Sequence, residues 1–149
     1  MWPLLDCQFI IDSLASSTIF TGLDIKAGFH NIPLSEWVSN YTVCIPQDGK
    51  FRAKRMLFGM KSAPAHFQRA ITLTLDLQPN GKVVVYIDDI IISGNTWQEV
   101  WNKTLDTLKK LTDAGFMINM NKCHFLATTL EAVGFEVASG KYKPKLKKL

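Results

Sequence analysis

The sequence predicts an α+β fold, on three observations. Residues 19–25 alternate in character as a strand does, with a carboxylate near its end. Residues 83–92 form a continuous apolar, mostly β-branched run broken only by Asp88 and Asp89, as a hairpin of buried strands would. Two further segments, 62–74 and 96–108, repeat apolar residues at helical spacing behind capping residues. Helices and hairpins therefore interleave along one chain, the order typical of an α+β domain.

Taken in order, Leu4 to Leu14 reads as a short helix with Leu5, Phe9, Ile10 and Leu14 near one side. In the strand that follows, Ile19, Thr21, Leu23 and Ile25 point one way, and Phe20, Gly22 and Asp24 the other. Tyr41–Ile45 and Phe51–Met56 flank Pro46-Gln47-Asp48-Gly49-Lys50, and the Asp-Gly pair predicts a hairpin. Ser62 is a candidate N-cap, with Pro64 in the first turn and Ala63, Phe67, Ala70, Ile71 and Thr74 at helical spacing. This helix should stop before the turn Pro79-Asn80-Gly81. A stronger helix opens at Thr96, where Thr96 and Glu99 form a capping box. Trp97, Trp101, Leu105 and Leu108 form its apolar stripe, and Gly115 closes it. Phe116–Ile118 and Phe135–Val137 read as further strands, the latter turning at Ser139-Gly140.

The 149 residues suit one domain, and 47% hydrophobic with 20% charged residues excludes a disordered chain. The longest apolar run is far too short to span a bilayer, and the N-terminus has no signal-peptide pattern. The expected location is intracellular, cytoplasmic or nuclear, with no membrane partner and no secretion. Cys7, Cys44 and Cys123 are odd in number and widely spaced, which suits a reducing compartment. The net charge of +4 is concentrated in Lys50, Arg52, Lys54 and Arg55 and in the lysines from Lys141 to Lys148. A polyanion partner and a merely solvated surface account for these clusters equally well.

Asp88 and Asp89 carry the chemistry. Two adjacent carboxylates between greasy strands repel each other and resist burial unless a cation is supplied. A hairpin turn presenting both at an edge to a metal ion is the economical arrangement; a plain surface hairpin with Asp as a turn residue is the alternative. Asp24, near the end of its own strand, is the natural third carboxylate. Three aspartates from two strands are what a two-metal phosphoryl-transfer site needs. His30, His66 and Cys123-His124 lack metal-ligand spacing and read as structural.

Three segments occur in order: Leu23-Asp24-Ile25-Lys26-Ala27-Gly28-Phe29-His30, Phe58-Gly59-Met60-Lys61-Ser62-Ala63-Pro64-Ala65-His66-Phe67-Gln68, and Tyr86-Ile87-Asp88-Asp89. Together they resemble the palm of a reverse transcriptase (RNA-directed DNA polymerase) of the Ty3/gypsy-like retrotransposon or retrovirus-like kind. Asn119-Met120-Asn121-Lys122-Cys123-His124-Phe125 and Val133-Gly134-Phe135-Glu136-Val137, the latter resembling the hairpin that grips the primer end, extend the resemblance through nearly the whole chain.

The resemblance implies an antiparallel sheet packed on helices, with partial fingers and little or no thumb. It implies Asp24, Asp88 and Asp89 as catalytic residues, and Asp24, Ile25, Asp88 and Asp89 as the surroundings of two Mg²⁺ or Mn²⁺ ions. Ile25, Lys26, Ala27, Gly28, Phe29, Phe58, Gly59 and Lys61 would meet the incoming dNTP, with Phe29 as the bulky wall against a ribose 2′-hydroxyl. Gly59 would suit close backbone approach. Gln68, Tyr86, Lys122, Val133 and Gly134 would serve the template–primer. Leu57 stands where the family usually has Pro, and Ala132-Val133-Gly134 replaces a Phe-Leu-Gly type sequence.

The implied function is template-directed nucleotidyl transfer by a segment of a retroelement polyprotein. The N-terminal fingers, thumb and RNase H regions of the family are expected to be missing from this chain. A domesticated relic that only binds nucleic acid is the alternative.

Overall fold

The computed structural model describes residues 7–77, 82–87, 89–132 and 134–144. Helix α1 (Cys7–Ala15) leads into strand β1 (Ile19–Asp24). A 3₁₀ turn (Gly28–Asn31) and the short helix α2 (Glu36–Ser39) precede helix α3 (Ala63–Leu75). Strands β2 (Val83–Tyr86) and β3 (Asp89–Gly94) form a hairpin, followed by helix α4 (Trp97–Asp113). Strands β4 (His124–Ala127), β5 (Thr129–Ala132), β6 (Phe135–Ala138) and β7 (Lys141–Pro144) complete the chain. Leu4, Leu5, Asp6, the turn at 79–81, Asp88, Val133 and the last lysines lie outside the described residues.

A four-stranded antiparallel sheet has the order β2-β3-β1-β4, and a separate antiparallel sheet has the order β5-β6-β7. The alternation expected of β1 places Ile19, Leu23 and Ile25 in a core with Phe67, Ile71, Val100 and Leu111 of α3 and α4. Phe20, from the opposite face, joins Ile10 and Leu14 of α1 and Leu130, Ala132 and Val137 of the second sheet. Both faces of the central strands are thus covered, and for that reason β2 and β3 read as nearly unbroken β-branched runs.

Four local expectations are corrected. On α4, Trp97, Trp101 and Leu105 are exposed, while Val100, Thr104, Thr107 and Leu111 face inward. The helix lies too close to the sheet for tryptophan: a Cβ on Gly94 would stand 2.8 Å from Val100 Cγ2. Small Thr104 is fully buried one turn on, its hydroxyl donating to the Val100 carbonyl at 2.7 Å. Residues 41–56 form an isolated Cys44–Phe51 bridge rather than a strand pair. Side-chain hydroxyls displace the ladder there: Ser39 Oγ donates to the Ala53 carbonyl, and Thr42 Oγ1 accepts the Ala53 N–H. Phe116–Ile118 is likewise reduced to one bridge between Ile25 and Ile118. Ser62 occupies the N-cap of α3 without a side-chain bond, because its backbone is already helical.

Thr96 caps α4 by accepting the Glu99 N–H at 3.3 Å, and Glu99 reaches back to the Asn95 N–H at 3.4 Å. The box is therefore closed one residue earlier than a strict Thr-x-x-Glu pair. A hydrogen bond from Lys103, then the Asn95 N–H and Lys82, hold the Glu99 carboxyl below its ordinary pKa. A depressed folded-state pKa stabilises the fold above the unfolded glutamate range and loses that stabilisation as pH falls through the folded value. Glu99→Gln should therefore lower stability near neutrality by about 1 kcal/mol or less and converge with the wild type in acid. Thermal melts across that pH interval check this; parallel curves would refute it.

Candidate active site

The register of the central strand pair sets Asp24 directly opposite Asp89. Opposed residues on antiparallel strands share a face, so both carboxylates stand on one side at the end of the sheet. Asp89 is also the partner of Tyr86. It therefore begins β3 and belongs to the ladder, rather than to the turn in which the sequence places it.

Ile87 adopts φ 53°, the left-handed region that a β-branched residue resists. Gln68, buried on α3, holds this turn. Its Nε2 donates to the Val85 carbonyl at 2.7 Å, and its Oε1 accepts the Ile87 N–H at 3.0 Å. One amide thereby satisfies a donor and an acceptor on either side of Tyr86. In this structure Gln68 serves the turn's main chain, a role the template–primer expectation did not contain.

A cavity of about 220 Å³ opens beside the two aspartates. It is lined by Gly22 and Asp24 of β1, Asp89 and Ile91 of β3, Lys122, His124, and Leu130 and Glu131 of β5. Gly22 lets the second sheet come this close, since a Cβ there would meet Leu130 Cδ1 at 2.9 Å. Lys122 is exposed on this rim, and Gly134 makes the β5–β6 turn at φ 79°. Val133 and Asp88 lie outside the described residues. Among the described residues, no three His, Cys, Asp or Glu side chains converge as a metal-holding group. The described pair supplies two hard oxygen donors at the mouth of a cavity, a donor set that suits Mg²⁺ when phosphates complete the shell.

The segment after Asp24 turns sharply, with Ala27 left-handed at φ 50°. Asn31 braces it, donating from Nδ2 to the Lys26 carbonyl at 2.9 Å and approaching those of Ala27 and Gly28 at 3.3 and 3.4 Å. Lys26 is exposed. Gly28 and Phe29 are buried. The Phe29 ring lies 5.4 Å from Phe67, edge to face, and 5.2 Å from the exposed ring of Phe58. His30 packs edge-on against Phe58, its Nδ1 3.0 Å from the Met56 carbonyl. Gly59 has no protein atom within 4 Å of a Cβ, and its φ of 86° is one that glycine adopts without strain. Lys61 is exposed. Asn31 had no signature in the sequence, since a side-chain brace onto carbonyls follows no fixed spacing.

A family model described as reverse transcriptase (RNA-dependent DNA polymerase) matches residues 4–137. The chain belongs to the reverse transcriptase family. This reverse transcriptase chain is 34% identical over 148 residues to the retrovirus-related Pol polyprotein from transposon opus of Drosophila melanogaster. That match covers 99% of the chain and 15% of the relative. The transposon Tf2-3 polyprotein of Schizosaccharomyces pombe is 31% identical over 97% of the chain and 11% of its own length. The chain therefore spans a small part of the relatives it matches. The foamy viral protease-reverse transcriptase in complex with RNA/DNA hybrid shares the fold, with a TM-score of 0.83 at 22% identity. That likeness covers 96% of the chain and 19% of the viral protein. Among the described residues, no helix is long and apolar enough to cross a membrane.

Gln68→Ala should cost about 2–4 kcal/mol, since it strands an N–H and a carbonyl beside a cavity. Gln68→Glu can still accept from Ile87 but sets a carboxylate against the Val85 carbonyl, so it should not restore stability. Denaturant unfolding of both variants checks this. A fully stable Gln68→Glu would show that the donor half of the bridge is dispensable.

Proposed function

We propose that this chain is the palm of an RNA-directed DNA polymerase and joins deoxynucleotides to a primer 3′-hydroxyl along a nucleic-acid template. The observation that carries the reading is the in-register pairing of Asp24 with Asp89, on one face, in a chain of the reverse transcriptase family. Asp24, Asp88 and Asp89, with Ile25 beside them, would hold two Mg²⁺ or Mn²⁺ ions. Such ions activate the attacking oxygen and stabilise the leaving pyrophosphate.

The chain's own residues orient the reactants. The braced loop Ile25–Phe29 offers its turn to the base and sugar of a dNTP, with Phe58, Gly59 and Lys61 along the same side. The ring of Phe29, fixed between Phe67 and Phe58, is a rigid wall where a ribose would carry its 2′-hydroxyl. Gln68 steadies the main chain at Val85 and Ile87, and Tyr86, Lys122, Val133 and Gly134 would border the path of the template–primer duplex. The partners are thus template–primer and dNTP within a retroelement polyprotein, in the cytoplasm or nucleus. Residues 1–149 act as a single polymerase unit that works with fingers, thumb and RNase H regions of the kind its family carries.

Asp24→Asn keeps the shape of the side chain and removes its charge. Metal-dependent primer extension should fall by a factor of about 10³ or more, with the circular dichroism spectrum unchanged. The assay uses this chain alone and joined to the fingers and thumb of a relative. Undiminished extension by the folded variant would exclude the site. Nucleic-acid binding without any extension by the wild type would instead indicate a binding module.

Phe29→Val opens space beside the sugar. The ratio of kcat/KM for a dNTP to that for its rNTP should fall about 10–200-fold, mainly through better use of the ribonucleotide. An unchanged ratio would make Phe29 a packing residue alone, and a melting curve separates lost packing from altered selectivity.

A further inference from the structure

Asp24 stands where the sheet ladder fails. β1 pairs with β4 at Phe20–Ala127 and Gly22–His124, with a register shift between them, and no β4 residue faces Asp24. Its two main-chain groups turn instead to the segment before β4. The Asp24 carbonyl accepts the Asn119 N–H at 2.9 Å, and the Asp24 N–H donates to Cys123 Sγ at 3.5 Å. The same thiol donates to the Asn119 carbonyl at 3.3 Å, which also accepts the Lys122 N–H at 3.0 Å. Asp24, Asn119 and Cys123 therefore close a hydrogen-bonded ring, and Lys26 N–H to the Met117 carbonyl at 2.8 Å ties the following turn to it.

We propose that Cys123 is a positioning residue for Asp24: its thiol replaces the missing ladder acceptor and fixes the end of β1 from which the carboxylate projects. A partly buried N–H without an acceptor is costly, and the strand end would relax to find one. Sulfur suits the place for two reasons. The C–S bond is longer than C–O, and sulfur accepts at a longer distance, so the ring closes without drawing the segment 119–123 into β1. Cys123 is also half-buried against the core under the sheet, where a thiol packs as a small apolar group and a hydroxyl would not. The inference rests on the reading that Asp24 holds a divalent cation.

The test compares Cys123→Ala, Cys123→Ser and the control Cys44→Ala, which alters an exposed thiol. Mn²⁺ is titrated into each full chain with a dideoxy-terminated template–primer and dNTP, and binding is read by water-proton relaxation, so turnover is not needed. Hydrogen exchange of the Asp24 amide is read alongside. Cys123→Ala should exchange that amide about five- to tenfold faster and bind Mn²⁺ weaker by a similar factor. Cys123→Ser should fall between Ala and the wild type, and Cys44→Ala should match the wild type. If Cys123→Ala does not fold, the intermediate position of Cys123→Ser decides. Mn²⁺ affinity within twofold of the wild type, whether or not the amide exchanges faster, overturns the inference while leaving the metal reading intact. A wild-type chain that binds no Mn²⁺ while its Asp24 amide is protected overturns the metal reading, and the inference with it.

Discussion

The pairing of β1 with β3 is the constraint on which the rest of the molecule depends. A slip of one residue would carry Leu23 out of the core, or Ile90 and Ile92 if β3 moved instead, and turn Asp24 away from Asp89. Large apolar residues occupy both faces of these strands, so any such slip exposes one core or the other. Stability and the placing of the carboxylates are thereby the same fact. The acidic pair is not an insertion into an indifferent scaffold; it is the terminal rung of the ladder that organises the scaffold.

Around that rung the structure replaces regular ladder bonds with side chains wherever the chain must bend. Gln68 spans the tight turn that Ile87 enters with an unfavourable backbone. Asn31 braces the loop after Asp24, and Cys123 receives the amide that β4 leaves unpaired. Each of these polar groups faces main chain rather than solvent, and each comes from a different element. Strain near the carboxylates is thus held by α3, by the 3₁₀ turn and by the segment before β4 together.

The sequence made the central hairpin, β1 and the two long helices legible because period, capping and β-branching all agreed there. Asp24 and Asp89 were visible for the same reason: charge is conspicuous inside an apolar strand. The inward face of α4 was not visible, because hydrophobicity favoured Trp97 and Trp101 while the short helix–sheet distance favoured threonine. The 41–56 segment failed for another reason. Hydroxyls of Ser39 and Thr42 compete for the backbone bonds that strand propensity assigns to a ladder. Of the strands from His124 onward, β6 was legible at Phe135–Val137, while β4, β5 and β7 escaped because short segments with mixed polarity carry little periodic signal. The braces Gln68 and Asn31 had no reachable signature, since their bonding is set by tertiary distance alone.

The outward tryptophans of α4 bear on how this protein can be observed. Trp97, Trp101 and Trp37 are 59%, 42% and 69% exposed, so the described indole rings sit at the surface and none in a core. Their emission starts close to that of an indole in water and shifts little when the core melts. Emission from these three rings is therefore a poor gauge of unfolding, whereas ellipticity of the sheet and helices follows it directly. The same rings are well placed to report whatever comes to rest on α4, because any covering surface moves them from water into contact and their emission to the blue.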